Sequence, residues 1–252
     1  MTSAMLKLIQ ITDCHLQPNP ELKLKKVNPL QTLTCVVKNI QRRHRDANAL
    51  LLTGDISHDG SVASYQLLAD LLQTQTIPAY LIPGNHDQMS NLRTMQSKTI
   101  HVEFEFISDY WQLIMLDSTI EGKASGSISA EEMQRLTIAL SKPKAPMQLI
   151  ALHHQPLDSG FGWLDNIGTD NGDALLKELR GFPNAKIIIH GHTHQARHYQ
   201  WQHLDCYSTP SSWRQFTAQS ELKLMDTLPP AYRVLALAAD GKHRSWVEFV
   251  TS

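Results

Sequence analysis

The sequence contains little cysteine. Only three of its 252 residues are cysteines, Cys14, Cys35 and Cys206, and no two of them form a CxxC pair. An odd and sparse set of this kind does not predict a disulfide framework, which is typical of small secreted proteins. It does not predict a structural zinc site built from thiolates either.

The sequence also lacks an excess of one charge and a long apolar run. Lys and Arg number 23 and Asp and Glu number 24, so the formal net charge is −1. General binders of nucleic acid or anionic membranes normally carry a basic surplus, so neither partner is expected. No stretch of about 18 apolar residues predicts a membrane span. The opening residues MTSAMLKLIQITD do not resemble a signal peptide, and we expect a cytoplasmic protein.

Histidine, by contrast, is abundant, with 13 residues. It is the commonest metal ligand and the usual acid–base group near neutral pH. Three of the histidines lie in residues 187–194, IIIHGHTH, where a run typical of a buried strand ends in imidazoles. The length suits one α/β domain or two small ones. We predict one domain over residues 1–252, with a C-terminal β-hairpin that turns at the sequence ADGK.

Short apolar runs alternate with segments of helical periodicity. The runs predict strands at residues 6–12, 49–53, 79–83, 112–117, 148–153 and 186–190. The helix signals are Asn28 before Pro29, Ser61, Ser129 at capping-box spacing from Glu132, and residues 171–182 with Gly181 as the stop. This alternation predicts a central sheet with helices packed outside it. In such sheets, ligands bind beyond the carboxyl ends of the strands.

Five of the predicted strands are followed at once by Asp, Asn or His. The groups are Asp13 with His15, Gly54-Asp55, residues 84–87 (GNHD), His153-His154, and residues 190–194 (HGHTH). A single Asp in such a place is usually a turn or cap residue, and a single His is usually a satisfied or exposed side chain. Five such groups at the strand ends of one sheet favour a shared site.

The spacing and chemistry of these residues indicate a metal site. Asp13 and His15 are two residues apart, as are His192 and His194, and in an extended segment such pairs point to the same side. Gly54 allows a tight turn that directs the next side chain outward, and Gly84 does the same. Oxygen and nitrogen donors without thiolate favour Mn, Fe, Zn, Co or Mg. The donors exceed the needs of one tetrahedral ion, which suggests two metals that share a bridging carboxylate.

The motifs D-x-H, G-D, G-N-H-D, H-H-x-P and G-H-x-H, in this order, resemble those of the calcineurin-like metallophosphoesterases over about residues 6–210. The resemblance implies an α/β fold, a four-layer αββα sandwich, with a dinuclear metal site at the carboxyl ends of the strands. It implies that one metal is held by Asp13, His15, Asp55 and His194. It implies that the other is held by Asp55, Asn85, His153 and His192, with Asp55 bridging.

The neighbours of these ligands have less specific roles. His153 is favoured over His154 because the first His of H-H-x-P usually matches the ligand, and His190 is expected to support the motif from beneath. Cys14 is expected to fill the core, and His58 and Asp59 either support the ligands or cap a helix. Trp213, Phe161 and Trp163 are candidates for stacking on a base, although packing in the core or at a subunit contact is the commoner role of such residues.

Residues 153–166, 208–216 and the tail resemble more closely the bacterial class III cyclic 3′,5′-AMP phosphodiesterases. This resemblance implies hydrolysis of cyclic AMP to 5′-AMP with two divalent ions, Fe or Mn first and Zn, Co or Mg as alternatives. It implies a small cyclic nucleotide as partner, not nucleic acid or a membrane, and leaves a homodimer open. Two alternatives remain: a phosphodiesterase for other diesters such as glycerophosphodiesters, and a non-catalytic binding protein with the same fold.

The resemblance also assigns residues to the reaction. His86 is expected to stabilise the phosphoryl charge or to protonate the leaving 3′ oxygen, and Asp87 to orient His86. The substrate is expected to contact His86 and four of the metal-site residues, which are His15, Asp55, Asn85 and His194.

Overall fold

The computed structural model describes residues 5–73, 75–160, 162–217 and 225–251. Within them the strands are β1 (Leu6–Ile11), β2 (Ala49–Thr53), β3 (Ala79–Ile82), β4 (Ile100–His101), β5 (Glu105–Ile107), β6 (Trp111–Met115), β7 (Met147–Ala151), β8 (Ala185–His190), β9 (Arg197–Trp201), β10 (Leu204–Ser208), β11 (Ala231–Leu237) and β12 (His243–Phe249). The helices are α1 (Pro29–Arg43), α2 (Val62–Leu72), α3 (Met89–Leu92), α4 (Ala130–Ser141), α5 (Gly162–Asp165) and α6 (Gly172–Leu179), with a 3₁₀ helix at Arg93–Met95. No helix within these ranges has both the length and the apolar composition for a membrane crossing.

The strands form two six-stranded sheets. The first has the order β12-β11-β1-β2-β3-β4 and the second the order β5-β6-β7-β8-β10-β9. Strands β1, β2, β3 and β4 pair in parallel, and so do β6, β7, β8 and β10. The remaining pairs, at the margins of both sheets, are antiparallel. The parallel strands of each sheet therefore bring their carboxyl ends, and the loops that follow them, to one edge.

Three apolar cores separate four layers. Alternate residues of a strand face opposite sides of its sheet, so each sheet contributes to two cores. Leu8 and Leu51 of the first sheet pack with Leu149 and Ile187 of the second in the central core. The first outer core lies between the first sheet and helices α1 and α2, and the second lies between the second sheet and helices α4 and α6. The predicted αββα sandwich is confirmed.

The helix starts follow the predicted capping residues. The side chain of Asn28 accepts a hydrogen bond from the amide of Gln31 at 3.0 Å, and Ser129 accepts one from the amide of Glu132 at 3.1 Å. Ser61 caps α2 in the same way. Only the first half of the expected capping box, the bond from the Glu132 amide to Ser129, forms. The Glu132 carboxylate instead accepts from the Arg135 guanidinium at 2.7 Å and from the amide of Asp117.

The predicted C-terminal hairpin is present and belongs to the first sheet. Strands β11 and β12 pair in antiparallel fashion, and Gly241 in the turn has a φ of 86°. Because β11 also pairs with β1, the hairpin extends the sheet beside the strand that precedes Asp13. The prediction of one domain over residues 1–252 includes residues outside the described ranges and stays a prediction.

Candidate metal centre

The two sheets bring the predicted ligands to a common edge. Asp13 and His15 follow β1, Asp55 follows β2, Asn85 follows β3, His153 follows β7, and His192 and His194 follow β8. Six of the seven are buried, and Asn85 is half-buried. The structure therefore collects all seven in one place, although their roles as ligands stay a prediction.

The first predicted set contains Asp13, His15, Asp55 and His194. The Nε2 atom of His194 lies 3.1 Å from Oδ1 of Asp13 and 3.3 Å from Nε2 of His15. The donor atoms of Asp13, His15 and His194 all lie within 4.8 Å of one another, a spacing that one ion can span.

Asp55 joins this set to the second one. Its Oδ2 lies 3.6 Å from Nε2 of His15, and its Oδ1 lies 3.4 Å from Nε2 of His153. His153 in turn lies with His192 in a second group of donors, also within 4.8 Å of one another. One carboxylate oxygen of Asp55 thus faces each set, which is the arrangement that a bridging ligand requires.

Unpaired polar atoms show that the site fits metal ions. Among the described residues, Oδ1 of Asn85 and Nε2 of His192 are buried without a hydrogen-bond partner, and Oδ1 of Asp13 and Nε2 of His153 form no well-aligned hydrogen bond although each lies near a group of opposite charge at 3.1 and 3.4 Å. A buried polar atom left unpaired costs about 1–3 kcal/mol, so four such atoms in one cluster favour a shared partner such as a metal ion. All four are oxygen or nitrogen donors, which suit Mn, Fe, Zn, Co or Mg.

Two histidines are fixed in the orientation that a ligand needs. The Nδ1–H group of His153 donates to the carbonyl oxygen of Thr53 at 2.8 Å, and that of His194 donates to the carbonyl oxygen of Arg214 at 2.7 Å. This tautomer leaves the lone pair of Nε2 in each ring directed at the cluster.

The backbone of the ligands corrects one expectation. Asp13 and His15 have φ values of 54° and 49°, and His192 and His194 have values of 64° and 50°. These residues are in the left-handed region, so the expectation of extended segments is wrong. The side chains of each pair still converge on the cluster. Asp55 is left-handed too, with a φ of 50°. Such a conformation costs a non-glycine residue on the order of 1–3 kcal/mol and is typical of functional sites.

Glycines allow the loops to approach one another. A Cβ atom on Gly54 would lie 2.4 Å from Nδ1 of His153, and one on Gly84 would lie 2.3 Å from Oδ1 of Asp55. Gly54 has a φ of 93°, as a tight turn requires. Both glycines therefore make room for predicted ligands on other loops, a role that the sequence did not show.

Electrostatics set the charge of the ligands. Burial raises the pKa of Asp13, but neighbouring His194 outweighs it and brings the pKa down to about 2. Burial also raises the pKa of Asp55, but neighbouring His153 outweighs it and holds this pKa well below its ordinary value. Burial lowers the pKa of His15 to about 3 and that of His192 well below its ordinary value. Burial acts to lower the pKa of His153, but the Asp55 carboxylate outweighs it and raises that pKa to about 9. Anionic carboxylates and neutral imidazoles are the forms that bind metal, so a metal ion at His153 would displace a proton from that ring.

The two adjacent histidines after β7 differ in their surroundings. His153 lies beside Asp55, whereas Nδ1 of His154 pairs with the hydroxyl of Ser118 at 2.8 Å. Both rings contact His192, so the preference for His153 as ligand stays a prediction. The ring of His190 contacts the hydroxyl of Tyr199 at 3.1 Å and does not join the cluster.

Asp87 does not orient His86, contrary to our expectation. Its carboxylate accepts hydrogen bonds from the amides of Ile56, Ser57 and Gly84 and from the hydroxyl of Tyr65, at 2.9–3.1 Å. Asp87 therefore ties together the loops after β2 and β3. Burial raises its pKa to about 6, and the nearby Asp55 adds to the shift.

His86 is instead oriented by His58. The carbonyl oxygen of His58 accepts the Nδ1–H group of His86 at 2.8 Å, and the two rings stack with centroids 4.8 Å apart. Asp59 accepts a hydrogen bond from the amide of Ser61 at the start of α2. His58 therefore has the first expected role, support of the site, whereas α2 is capped by Ser61 and not by Asp59, which bonds the amide of that capping residue. Cys14 is fully buried in the first outer core, as predicted, and burial raises its pKa to about 12.

A cavity of about 240 Å³ opens above the cluster. Trp163, Trp213 and Phe216 line it, and the Phe216 ring stacks on His194 with centroids 4.2 Å apart. Trp163 packs edge-on against Phe216, whereas Trp213 is almost fully buried. Phe161 lies outside the described residues. Phe216 was missed in the sequence, although it ends the stretch 208–216 that carries part of the resemblance.

Residues 6–196 match the family model described as calcineurin-like phosphoesterase. The chain belongs to this family. It is 35% identical over 249 residues to the 3′,5′-cyclic adenosine monophosphate phosphodiesterase CpdA of Vibrio vulnificus, a match that covers 98% of this chain and 91% of that protein. It is 32% identical to the enzyme of the same name from Escherichia coli K12, which covers 94% of this chain and 87% of that protein.

Solved structures share the fold at low sequence identity. A dimetal phosphatase from Danio rerio superposes with a TM-score of 0.66 at 14% identity, over 98% of this chain and 99% of that one. A purple acid phosphatase from yellow lupin gives 0.66 at 13% identity, over 98% of this chain and 54% of that one. These similarities support the four-layer architecture independently of the motifs.

Proposed function

We propose that this protein is a metal-dependent phosphodiesterase that hydrolyses cyclic 3′,5′-AMP to 5′-AMP. The observation that carries phosphoester hydrolysis is the position of Asp55, with one carboxylate oxygen toward each set of donors. Support for the substrate comes from relatives in Vibrio, Haemophilus, Escherichia and Pseudomonas. These are cyclic AMP phosphodiesterases by name and are 30–35% identical over 94–98% of the chain.

Two ions would be held by the sets described above, with Asp55 between them. Iron and manganese are the first candidates for these oxygen and nitrogen donors, and zinc, cobalt and magnesium are the alternatives. When bound, two such ions activate a water molecule and offset the charge that develops on the phosphoryl group. Asn85 contributes a neutral oxygen to this charged cluster.

His86 acts on the phosphoryl group or on the leaving oxygen. Because the His58 carbonyl accepts the Nδ1–H group, Nε2 of His86 donates a hydrogen bond only when the ring is protonated. In hydrolysis the bond from phosphorus to the 3′ oxygen breaks, a solvent oxygen joins phosphorus, and the 3′ oxygen gains a proton. A protonated His86 supplies that proton or stabilises the charge on the phosphoryl oxygens.

The outer part of the cavity suits a nucleoside. It is lined mainly by apolar side chains, among them Leu24, Trp163, Ile167 and Phe216. We propose that Trp163 or Trp213 contacts the base, while Trp213 also packs against His15 with ring centroids 5.3 Å apart. Action on a free nucleotide in the cytoplasm is part of this proposal. The net charge of −1 supports a free nucleotide over nucleic acid.

A substrate panel tests the proposal. The purified protein is loaded separately with Mn²⁺, Fe²⁺ and Zn²⁺, and turnover of cyclic AMP, cyclic GMP and glycerophosphocholine is compared. We expect cyclic AMP to be cleaved with the highest kcat/KM, and cyclic GMP also to be cleaved. Turnover of glycerophosphocholine without turnover of cyclic AMP would assign the protein to other diesters. Protein that binds no metal and cleaves none of the three would be a binding protein.

A further inference from the structure

An exposed lysine, Lys25, is among the residues that line the cavity. If the phosphoryl group lies at the metal ligands, the nucleoside must occupy the space beside Leu24, Lys25, Ala124, Trp163 and Ile167. Among the described residues that line the cavity, Lys25 is the sole Lys or Arg. A nucleoside carries hydrogen-bond acceptors on its base and ribose, and apolar walls cannot pair with them.

The backbone that carries Lys25 is strained. Leu24 and Val27 exchange both of their backbone hydrogen bonds, at 2.8 and 3.1 Å, so Lys25 and Lys26 form a two-residue turn. Their φ values of 48° and 70° match a turn in which both central residues are left-handed, a conformation that normally selects Asn-Gly. A lysine at each position costs energy that Gly would avoid. Strain of this kind is typical of functional positions.

A single arginine ties this turn to the metal centre. The guanidinium of Arg214 donates to the carbonyl oxygen of Lys25 at 3.2 Å and to that of Asp226 at 3.1 Å. The carbonyl oxygen of the same arginine accepts the Nδ1–H group of His194 at 2.7 Å. The position of the Lys25 backbone is therefore fixed relative to a predicted ligand.

We propose that Lys25 is a specificity-determining residue, which donates a hydrogen bond from its ammonium group to an acceptor on the nucleoside part of the substrate. This inference rests on the proposed function, because it assumes a cyclic nucleotide in the cavity. It predicts a contribution to the binding of the nucleoside and none to the reaction at phosphorus.

The test compares two neighbouring lysines on two substrates. Lys25→Met removes the charge and keeps the length of the side chain, and Lys26→Met makes the same change on the same turn outside the cavity. The substrates are cyclic AMP and methyl p-nitrophenyl phosphate, a diester without a nucleoside. For Lys25→Met we expect kcat/KM for cyclic AMP to fall about 5- to 20-fold through KM, as the loss of a solvent-accessible charged hydrogen bond implies. For the small diester, Lys25→Met should change kcat/KM by less than about twofold. Lys26→Met should change kcat/KM by less than about twofold for either substrate.

Each other outcome overturns the inference. Equal losses on both substrates would place Lys25 at the phosphoryl group. Equal effects of the two variants would indicate general attraction of an anion, which added salt would suppress. If Lys25→Met cleaves cyclic AMP with an unchanged kcat/KM, the role of Lys25 is refuted and the proposed function remains intact. No cleavage of cyclic AMP by the unchanged protein would refute the proposed function and this inference with it.

Discussion

Asn85 is the amide donor of the predicted metal cluster. Its Oδ1 atom is buried without a hydrogen-bond partner in the described part of the chain. For Asn85→Ala we expect loss of one metal ion and a fall in activity of about 100-fold or more, because the change removes a ligand and no packed core residue. Elemental analysis and hydrolysis of cyclic AMP measure these effects, and circular dichroism checks the fold.

A matched control is Asn166→Ala, which makes the same change at an exposed position outside the cluster. It should retain metal and activity. Full metal content and activity in Asn85→Ala would contradict the role of Asn85 as a ligand.

His86 is predicted to act in the transition state and not as a metal ligand. For His86→Ala we expect kcat for cyclic AMP to fall by about 10²- to 10⁴-fold, the range for general acid–base groups, with metal content unchanged. A substrate that releases p-nitrophenolate needs no proton on the leaving oxygen, so the fall in kcat for that substrate should be smaller. Equal losses on both substrates would indicate charge stabilisation, and no loss on either would remove His86 from the mechanism.

The identity of the clustered residues was predictable at the residue scale, but their geometry was not. The motifs placed Asp13, Asp55 and His194 together without showing that each needs a left-handed backbone. The role of Asp87 was missed because its partners include amides at residues 56 and 57, about 30 positions away along the chain. Side-chain contacts to the backbone of another loop leave no pattern in a single sequence.

At the scale of elements, Glu248 joins helix α1 to the C-terminal hairpin. Its carboxylate lies 2.8 Å from Nε of Arg43 and 3.0 Å from Nε2 of His44, and it accepts hydrogen bonds from Tyr232 and Trp246. Burial raises the pKa of Glu248, but these partners outweigh it and hold the pKa below its ordinary value. The ionised form therefore stabilises the fold.

The sign of this shift gives a pH dependence. A lowered pKa contributes stability above the pKa of the unfolded chain, about 4.3, and the contribution disappears as pH falls through the folded value. For Glu248→Gln we expect a loss in the free energy of unfolding of about 1 kcal/mol at pH 7, as for one hydrogen-bonded group. The difference from the unchanged protein should shrink below about pH 4. Urea unfolding at both pH values measures it, and a difference independent of pH would contradict this account.

Six buried strands were predictable from their apolar runs, whereas β10, which is also buried, and the short or partly exposed strands were not. The apolar runs placed β1, β2, β3, β6, β7 and β8 to within two residues at either end. Strands β4 and β5 have two and three residues, too few to show a period. Strand β9 is partly exposed and polar, and it is defined by its pairing with β10 more than by its composition.

At the scale of the whole molecule, the four layers explain why the site forms where it does. Each sheet supplies predicted ligands at the carboxyl ends of its parallel strands, and the central core holds those two edges together. Alternation of strands and helices in the sequence predicted an α/β fold. The division into two sheets came from the resemblance, because nothing in the local pattern shows which strands pair.

The proposed reaction of this cluster is hydrolysis of cyclic AMP with water as the nucleophile. The most direct measurement is incubation of the metal-loaded protein with cyclic AMP in ¹⁸O-water, followed by mass spectrometry of the product. We predict 5′-AMP with one ¹⁸O atom on phosphorus, because the 3′ oxygen leaves and a solvent oxygen replaces it. Formation of 3′-AMP would show that the 5′ oxygen leaves. No turnover of cyclic AMP in the presence of bound metal would contradict the account.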